Sequence, residues 1–233
     1  MRKFRNWLPL LLVVGLLALS SAAFADNVAV TAVASGWYAA WSPADSDPGY
    51  DTNANGMTLQ NYFAGHEDYI ANNFFVFSLS GIQGPIVSPG SLHLAIPASG
   101  VYAPSGALTY TLYDVITPLD QLLAGVPSGS ILNDLGSGTV YGSATLTELD
   151  SNSVFMVTFN EAAITAINGA LGGYFAIGGS VNGNPGFAFG YTSSQDNPYM
   201  VLDPPSVPEP ATLALLGTGL VGIATQIKRR MRG

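Results

Sequence analysis

Between residues 26 and 210 the chain has no lysine and no arginine. All seven such residues, Arg2, Lys3, Arg5, Lys228, Arg229, Arg230 and Arg232, stand at the ends, while all fifteen acidic residues fall between them. The middle therefore forms no Lys or Arg ion pair of its own. It also repels phosphate backbones, because nucleic-acid affinity comes mainly from cationic neutralisation. Nucleic-acid binding and phosphoryl transfer are set aside. Cysteine is absent altogether. That excludes cysteine-protease and thiol-redox chemistry, disulfide staples, and lipoprotein acylation, which needs a cysteine after the signal peptide. Stability must come from a hydrophobic core, and a middle of about 180 residues is long enough to build one.

What is present at the N-terminus is an export signal. Residues 1–5 are basic, Trp7 to Leu19 are almost wholly apolar, and Ala23 and Ala25 are the small residues a signal peptidase needs before Asp26. Residues 1–25 are read as a signal peptide. At the other end, Asp203-Pro204-Pro205-Ser206 changes composition abruptly and reads as a linker, since Pro cannot donate to a sheet ladder. From Ala211 to Ile227 the chain is apolar, about 26 Å as a helix against a hydrocarbon core of roughly 30 Å. Lys228, Arg229, Arg230 and Arg232 follow at once and hold that end in the cytoplasm. The expected layout is a 26–203 ectodomain, a 204–210 linker, a 211–227 transmembrane helix and a 228–233 basic tail.

The ectodomain reads as all-β. Short apolar, β-branched and aromatic runs recur between Gly, Pro, Ser and Asn, the pattern of a sandwich or barrel. Strands are expected near 28–34, 73–79, 91–96, 109–113, 139–147, 154–160, 174–180, 186–191 and 199–202. Alternation in the sixth places Phe155, Val157 and Phe159 on the core face and Val154 and Met156 outside. Two short helices interrupt the strands: one capped by Thr117 with Pro118 at its first position, one capped by Asn160 over 161–168. The fold class is a jelly-roll-like β-sandwich with two short helices.

Candidate chemistry is sparse. His66-Glu67-Asp68 sets an imidazole beside two carboxylates, but neighbours in sequence point apart and do not make a relay. His93 alternates with Leu92 and Leu94 and belongs on the solvent side of its strand. No Gly-x-Ser-x-Gly elbow occurs. No catalytic residue is assigned. Asp45, Asp47, Asp51, Asn53 and Asn55, with Gly56 behind them, have the alternating oxygen spacing that can surround Ca²⁺. Tyr62 stands where an EF-hand needs Glu, so the choice is between another kind of Ca²⁺ loop and a solvated loop of Asx turns. Trp37 and Trp41 could stack on sugar rings, or pack.

Val207-Pro208-Glu209-Pro210, then a short Gly- and Leu-rich span and an Arg-rich end, resembles the PEP-CTERM sorting signal of Gram-negative bacteria. The resemblance implies export across the inner membrane, transient anchoring, recognition and processing by an exosortase, and a destination at the cell surface or outside. Exopolysaccharide often accompanies such proteins and is an expected partner. Residues 35–200 also resemble a recurring β-rich ectodomain of PEP-CTERM proteins, carried by Gly36-Trp37-Tyr38, Asn73 to Leu79, Tyr110 to Val115, Asp134-Leu135-Gly136-Ser137-Gly138 and Phe175 to Gly179. Ser78 departs from the acid often found there. No catalytic residue comes with that resemblance. Two roles are in view: a non-catalytic surface or matrix protein tied to biofilm, and a carbohydrate-binding module. For the acidic loop, thermal melting is the test. A Ca²⁺ site predicts a higher melting temperature with calcium than with EDTA, and identical melts leave a solvated loop.

Overall fold

The computed structural model describes residues 27–41, 62–66, 69–126, 128–182, 185–190 and 196–203. The signal peptide, the acidic loop, the linker, the span and the basic tail lie outside them, as do the side chains of Trp41 and His66.

Strand β1, Val28–Trp41, serves two halves of the fold. Its first residues, Val28 to Thr31, pair antiparallel with β11, Tyr199–Leu202. From Ala32 onward it pairs with β3, Tyr69–Ser78, and the register shifts between Ala32 and Ala34. A bulge of this kind bends a strand and increases its twist, which carries β1 from one layer into the other. The expected end at Ala34 is corrected: Ser35 and Gly36 look like breakers but sit inside the ladder, with Gly36 opposite Phe74.

On one side of the bulge the order runs β1, β11, β4 (Ser91–Ile96) and β8 (Ser153–Thr158). On the other it runs β1, β3, β9 (Tyr174–Asn182), β6 (Leu108–Asp114) and β7 (Val140–Leu146). Three short strands extend the second layer: β2 (Ala64–His66) pairs with β3, β10 (Gly186–Ala188) with β2, and β5 (Val101–Tyr102) with β10. Every pairing is antiparallel. The far ends meet, because Asn160 donates its backbone N–H to the Tyr141 carbonyl at 2.8 Å and its side-chain amide to the Val140 carbonyl at 2.7 Å. Among the described residues the result is one curled antiparallel sheet of eleven strands, mostly β as expected, where the sequence suggested a jelly-roll-like sandwich.

Inside the curl lie Phe75 and Phe77, Leu92 and Leu94, Tyr110 and Leu112, Phe155 and Val157, and Met200. Each such side chain contributes about 1.5–3 kcal/mol when fully buried. The alternation expected in β8 holds: Val154 and Met156 are 55% and 52% exposed, Phe155 and Val157 buried. The outer face of the second layer is covered by α1, Leu119–Leu123, and α2, Gly129–Leu135. Their Leu122, Ile131, Leu132 and Leu135 pack on Ala34, Tyr38, Phe74 and Val76. A third helix, α3 (Glu161–Gly169), is capped by Asn160, whose side chain accepts from the Ala163 N–H at 3.0 Å, as read. Two details differ. The α-helices number three among the described residues, since α2 was not foreseen. Thr117 does not cap α1; Pro118 stands at that position without a side-chain bond.

Helix α2 sits unusually close to the sheet. A Cβ on Gly178 would lie 2.6 Å from the Leu135 carbonyl oxygen, and one on Gly136 would collide with the Asn72 amide. We expect Gly178→Ala to lose about 1–3 kcal/mol in urea unfolding. Gly169→Ala, with open space around it, should be neutral or gain up to about 1 kcal/mol. Equal stabilities for the two variants would contradict the close docking.

Candidate functional site

Carboxylates with no cation to pair with turn to the backbone. Asp134, at the end of α2, accepts from the N–H groups of Ile116 (3.1 Å) and Thr117 (2.8 Å) and from the Thr117 hydroxyl (2.6 Å). Asp114 accepts from the Thr139 N–H at 2.6 Å. In the turn between β7 and β8, Asp150 takes the N–H and hydroxyl of Thr147, and Glu148 takes the Ala103 N–H. These acids are occupied as acceptors that tie loops to elements. The Asp134 to Gly138 run thereby gains a structural account: Asp134 anchors the 116–117 turn, Leu135 fills the gap over Gly178, and Gly138, at φ 110°, lets the chain pass beside Asp114. Among the described residues no group of three His, Asp or Glu side chains is placed to hold a metal. The proposed calcium ligands lie outside that set, as do Glu67, Asp68 and the His66 side chain.

The aromatics divide into buried and exposed. Trp37 is only 6% exposed and stands edge-on to Phe63 at 5.6 Å. Phe63 leads to half-buried Phe187 at 5.8 Å and Phe187 to exposed Tyr102 at 5.6 Å, so the row opens to solvent at the end away from Trp37. Of the two readings open for Trp37, stacking on sugar or packing, its burial fits packing. It shares the inward face of β1 with Ser35 and Ala39, and alternation alone could not say that this face was covered. In the core, Tyr110 donates to the Asn73 side-chain oxygen at 2.6 Å while the Asn73 amide donates to the Tyr62 carbonyl at 2.7 Å. Burial pushes the Tyr110 and Tyr62 phenols far up, so both remain donors.

His93 lies on the outer side of β4, as its alternation predicts. Its ring stacks on Tyr199 of β11 at 4.6 Å and 13°, and its Nε2 is 2.9 Å from the Ser91 hydroxyl. Burial holds the imidazole below its ordinary 6.5.

The one functional feature with an independent match is the tail. Residues 206–230 match the family model described as the PEP-CTERM protein-sorting motif. The chain carries a PEP-CTERM sorting signal. The match takes in Val207, Pro208, Glu209 and Pro210 together with Lys228, Arg229 and Arg230, and the described body ahead of this signal is β-rich. Such a signal implies an exported protein sorted to the cell surface and processed by an exosortase. No curated protein matches the sequence. Among solved structures, a xylan-binding module, CBM15, is similar at 13% identity over 78% of this chain and 100% of that one, with a TM-score of 0.36. The CBM22-1–GH10 modules of a Clostridium thermocellum endo-1,4-beta-D-xylanase, complexed with xylohexaose, are similar at 8% identity over 78% of this chain and 29% of that one, with a TM-score of 0.28. Both likenesses are loose and bring no binding property to this chain.

The histidine gives a pH signature with a definite sign. The folded protein holds the His93 proton less tightly than the unfolded chain does. Its contribution is therefore complete above about pH 6.5 and is lost as pH falls from there through the lower folded value. Proton NMR should show the His93 ring titrating with a midpoint below 6.5, and His93→Gln should lose less stability than wild type between about pH 7 and about pH 5. A midpoint above 6.5 would contradict the burial argument.

Proposed function

We propose that the chain is an exported, non-catalytic protein of the cell surface or extracellular matrix, delivered through its C-terminal signal and working beside exopolysaccharide in biofilm or envelope architecture. The observation that carries this reading is the sorting motif at residues 206–230. The charge layout supports it. Basic clusters at both ends suit retention on the cytoplasmic side, while the acidic middle crosses without a fixed positive charge. Exosortase acts near Pro208-Glu209-Pro210 and separates the body from Lys228 to Arg232. The carboxylates Asp114, Asp134, Glu148 and Asp150 are engaged with backbone donors, which supports a structural rather than a catalytic body.

Mass spectrometry of the surface form is the direct test. The mature polypeptide should lack the basic tail, and an intact end at Arg232-Gly233 would sink the processing step. Deleting Pro208 to Gly233 should send the body to the medium and alter cell aggregation; unchanged surface retention would count against delivery by this signal.

A further inference from the structure

One row of the second layer passes from the core to solvent as a line of aromatic rings. The register sets Ala39 of β1 opposite Ala71 of β3, Ala71 opposite Gly65 of β2, Gly65 opposite Phe187 of β10, and Phe187 opposite Tyr102 of β5. Gly65 has no side chain, and the Phe63 ring takes its place, its tip 2.9 Å from where a Cβ would stand. The rings of Trp37, Phe63, Phe187 and Tyr102 therefore follow one another at 5.6, 5.8 and 5.6 Å. At the buried end the Trp37 indole N–H has no acceptor among the described residues. At the open end Tyr102 is 39% exposed. The row crosses β1 near its far end from Val28, which pairs with Leu202 where the chain leaves for the linker.

Charge beside the open end has one sign. The turn before β8 lies along the outer edge of β5: Ser151 accepts from the Val101 N–H at 3.2 Å and Glu148 from the Ala103 N–H at 3.3 Å, one on either side of Tyr102. Asp150 stands in the same turn, held by the Thr147 N–H at 2.7 Å. Such bonds leave a carboxylate its charge and further acceptor sites. No lysine or arginine occurs in the body to neutralise either acid. A ring face beside fixed carboxylates attracts a cation, through the ring quadrupole and through the opposite charge, and repels an anion. The same two bonds cover the edge of β5, so a peptide cannot add there as a strand.

We propose that Tyr102 and Phe187, with Glu148 and Asp150 beside them, bind a cationic amino-sugar polymer. The inference rests on the reading that the protein works beside exopolysaccharide, and it names the chemistry of that partner. A sugar ring has an apolar face to lay on Tyr102 and hydroxyls to hydrogen-bond around it. The ammonium group of an amino sugar adds the counter-charge that Glu148 and Asp150 lack within the chain. A uronic-acid polymer would bring carboxylates against carboxylates. An uncharged glycan would keep the ring contact and forgo the ionic one. Phe63 and Trp37 back the platform from within. Salt screens the ionic part, so binding weakens as ionic strength rises.

Calorimetry on the full chain in detergent micelles tests this, in mildly acidic buffer where amines are charged and carboxylates ionised. The probes are a glucosamine hexamer, its fully N-acetylated form, a galacturonate hexamer and a lysine hexapeptide. The glucosamine hexamer should bind about tenfold or more tightly than the other three, and lose affinity as salt is added. Tyr102→Ala should lower that affinity about tenfold. Tyr174→Ala, which removes an exposed tyrosine at the start of β9, should leave it unchanged. Glu148→Gln keeps an acceptor for the Ala103 N–H, so it should melt as wild type while weakening both the binding and its salt dependence. Equal affinity for the acetylated hexamer or the lysine peptide overturns the proposal. So does an equal loss from Tyr174→Ala, or no binding by a chain that melts as a folded protein. A chain that sediments with the polysaccharide of its own cells yet ignores the glucosamine hexamer sinks this inference and leaves the reading beneath it standing. Hexamer binding without attachment to that polysaccharide does the reverse.

Discussion

One strand bears the fold. Val28 to Thr31 belong to a layer with one wet face, and burial there alternates: Ala29, Thr31 and Val33 are exposed, Ala32 buried. Past the bulge, Ala34 to Ala39 are buried on both faces, because the core lies on one side and the helix layer on the other. The strand changes its burial pattern at the point where it changes layer. Shifting the register at Ala32/Ala34 by one residue would exchange the two faces of everything downstream. Trp37 would then face the helices and Tyr38 the interior. Because β3 takes its register from β1, and β9 takes its own from β3, that error would spread through the second layer.

The lack of cations costs this body little. An exposed ion pair contributes about 0–1 kcal/mol, whereas a hydrogen bond to a charged group contributes about 1.5–3 kcal/mol. Asp134, Asp114 and Glu148 each reach a backbone N–H far away in sequence and so fasten separate elements together. What the chain gives up is recognition by positive charge, and the basic residues are left to the two termini.

How much of this was legible followed from how local each cause is. Ser91–Ile96 and Tyr199–Leu202 were read with their bounds, because one face is wet and the alternation survives in the sequence. Asn160 was read as a cap because it acts within one turn. Strands β2 and β5 were missed, being three and two residues long and too short for any period to show. Helix α2 was missed because Gly129 and Ser130 open it and its stability comes from docking on Gly178, a contact 43 residues from Leu135 that no window contains. Trp37 was left open between stacking and packing for a related reason. Its cover, Phe63 and Phe187, arrives from the residue just before β2 and from β10, and β2 was not foreseen. The sorting signal was the most legible feature, since it is a linear label whose meaning does not wait for the fold.

Label and body follow different electrostatic rules, and processing changes which rules apply. On the proposed topology, the chain with its basic tail attached holds positive charge on the cytoplasmic side and only negative charge outside. Once the tail is gone, the body is purely anionic, and the anionic surface of a membrane repels it within a Debye length of about 8 Å. Electrostatic adsorption then cannot retain it. Retention has to come from a covalent product of the processing step, from bridging cations, or from uncharged contact.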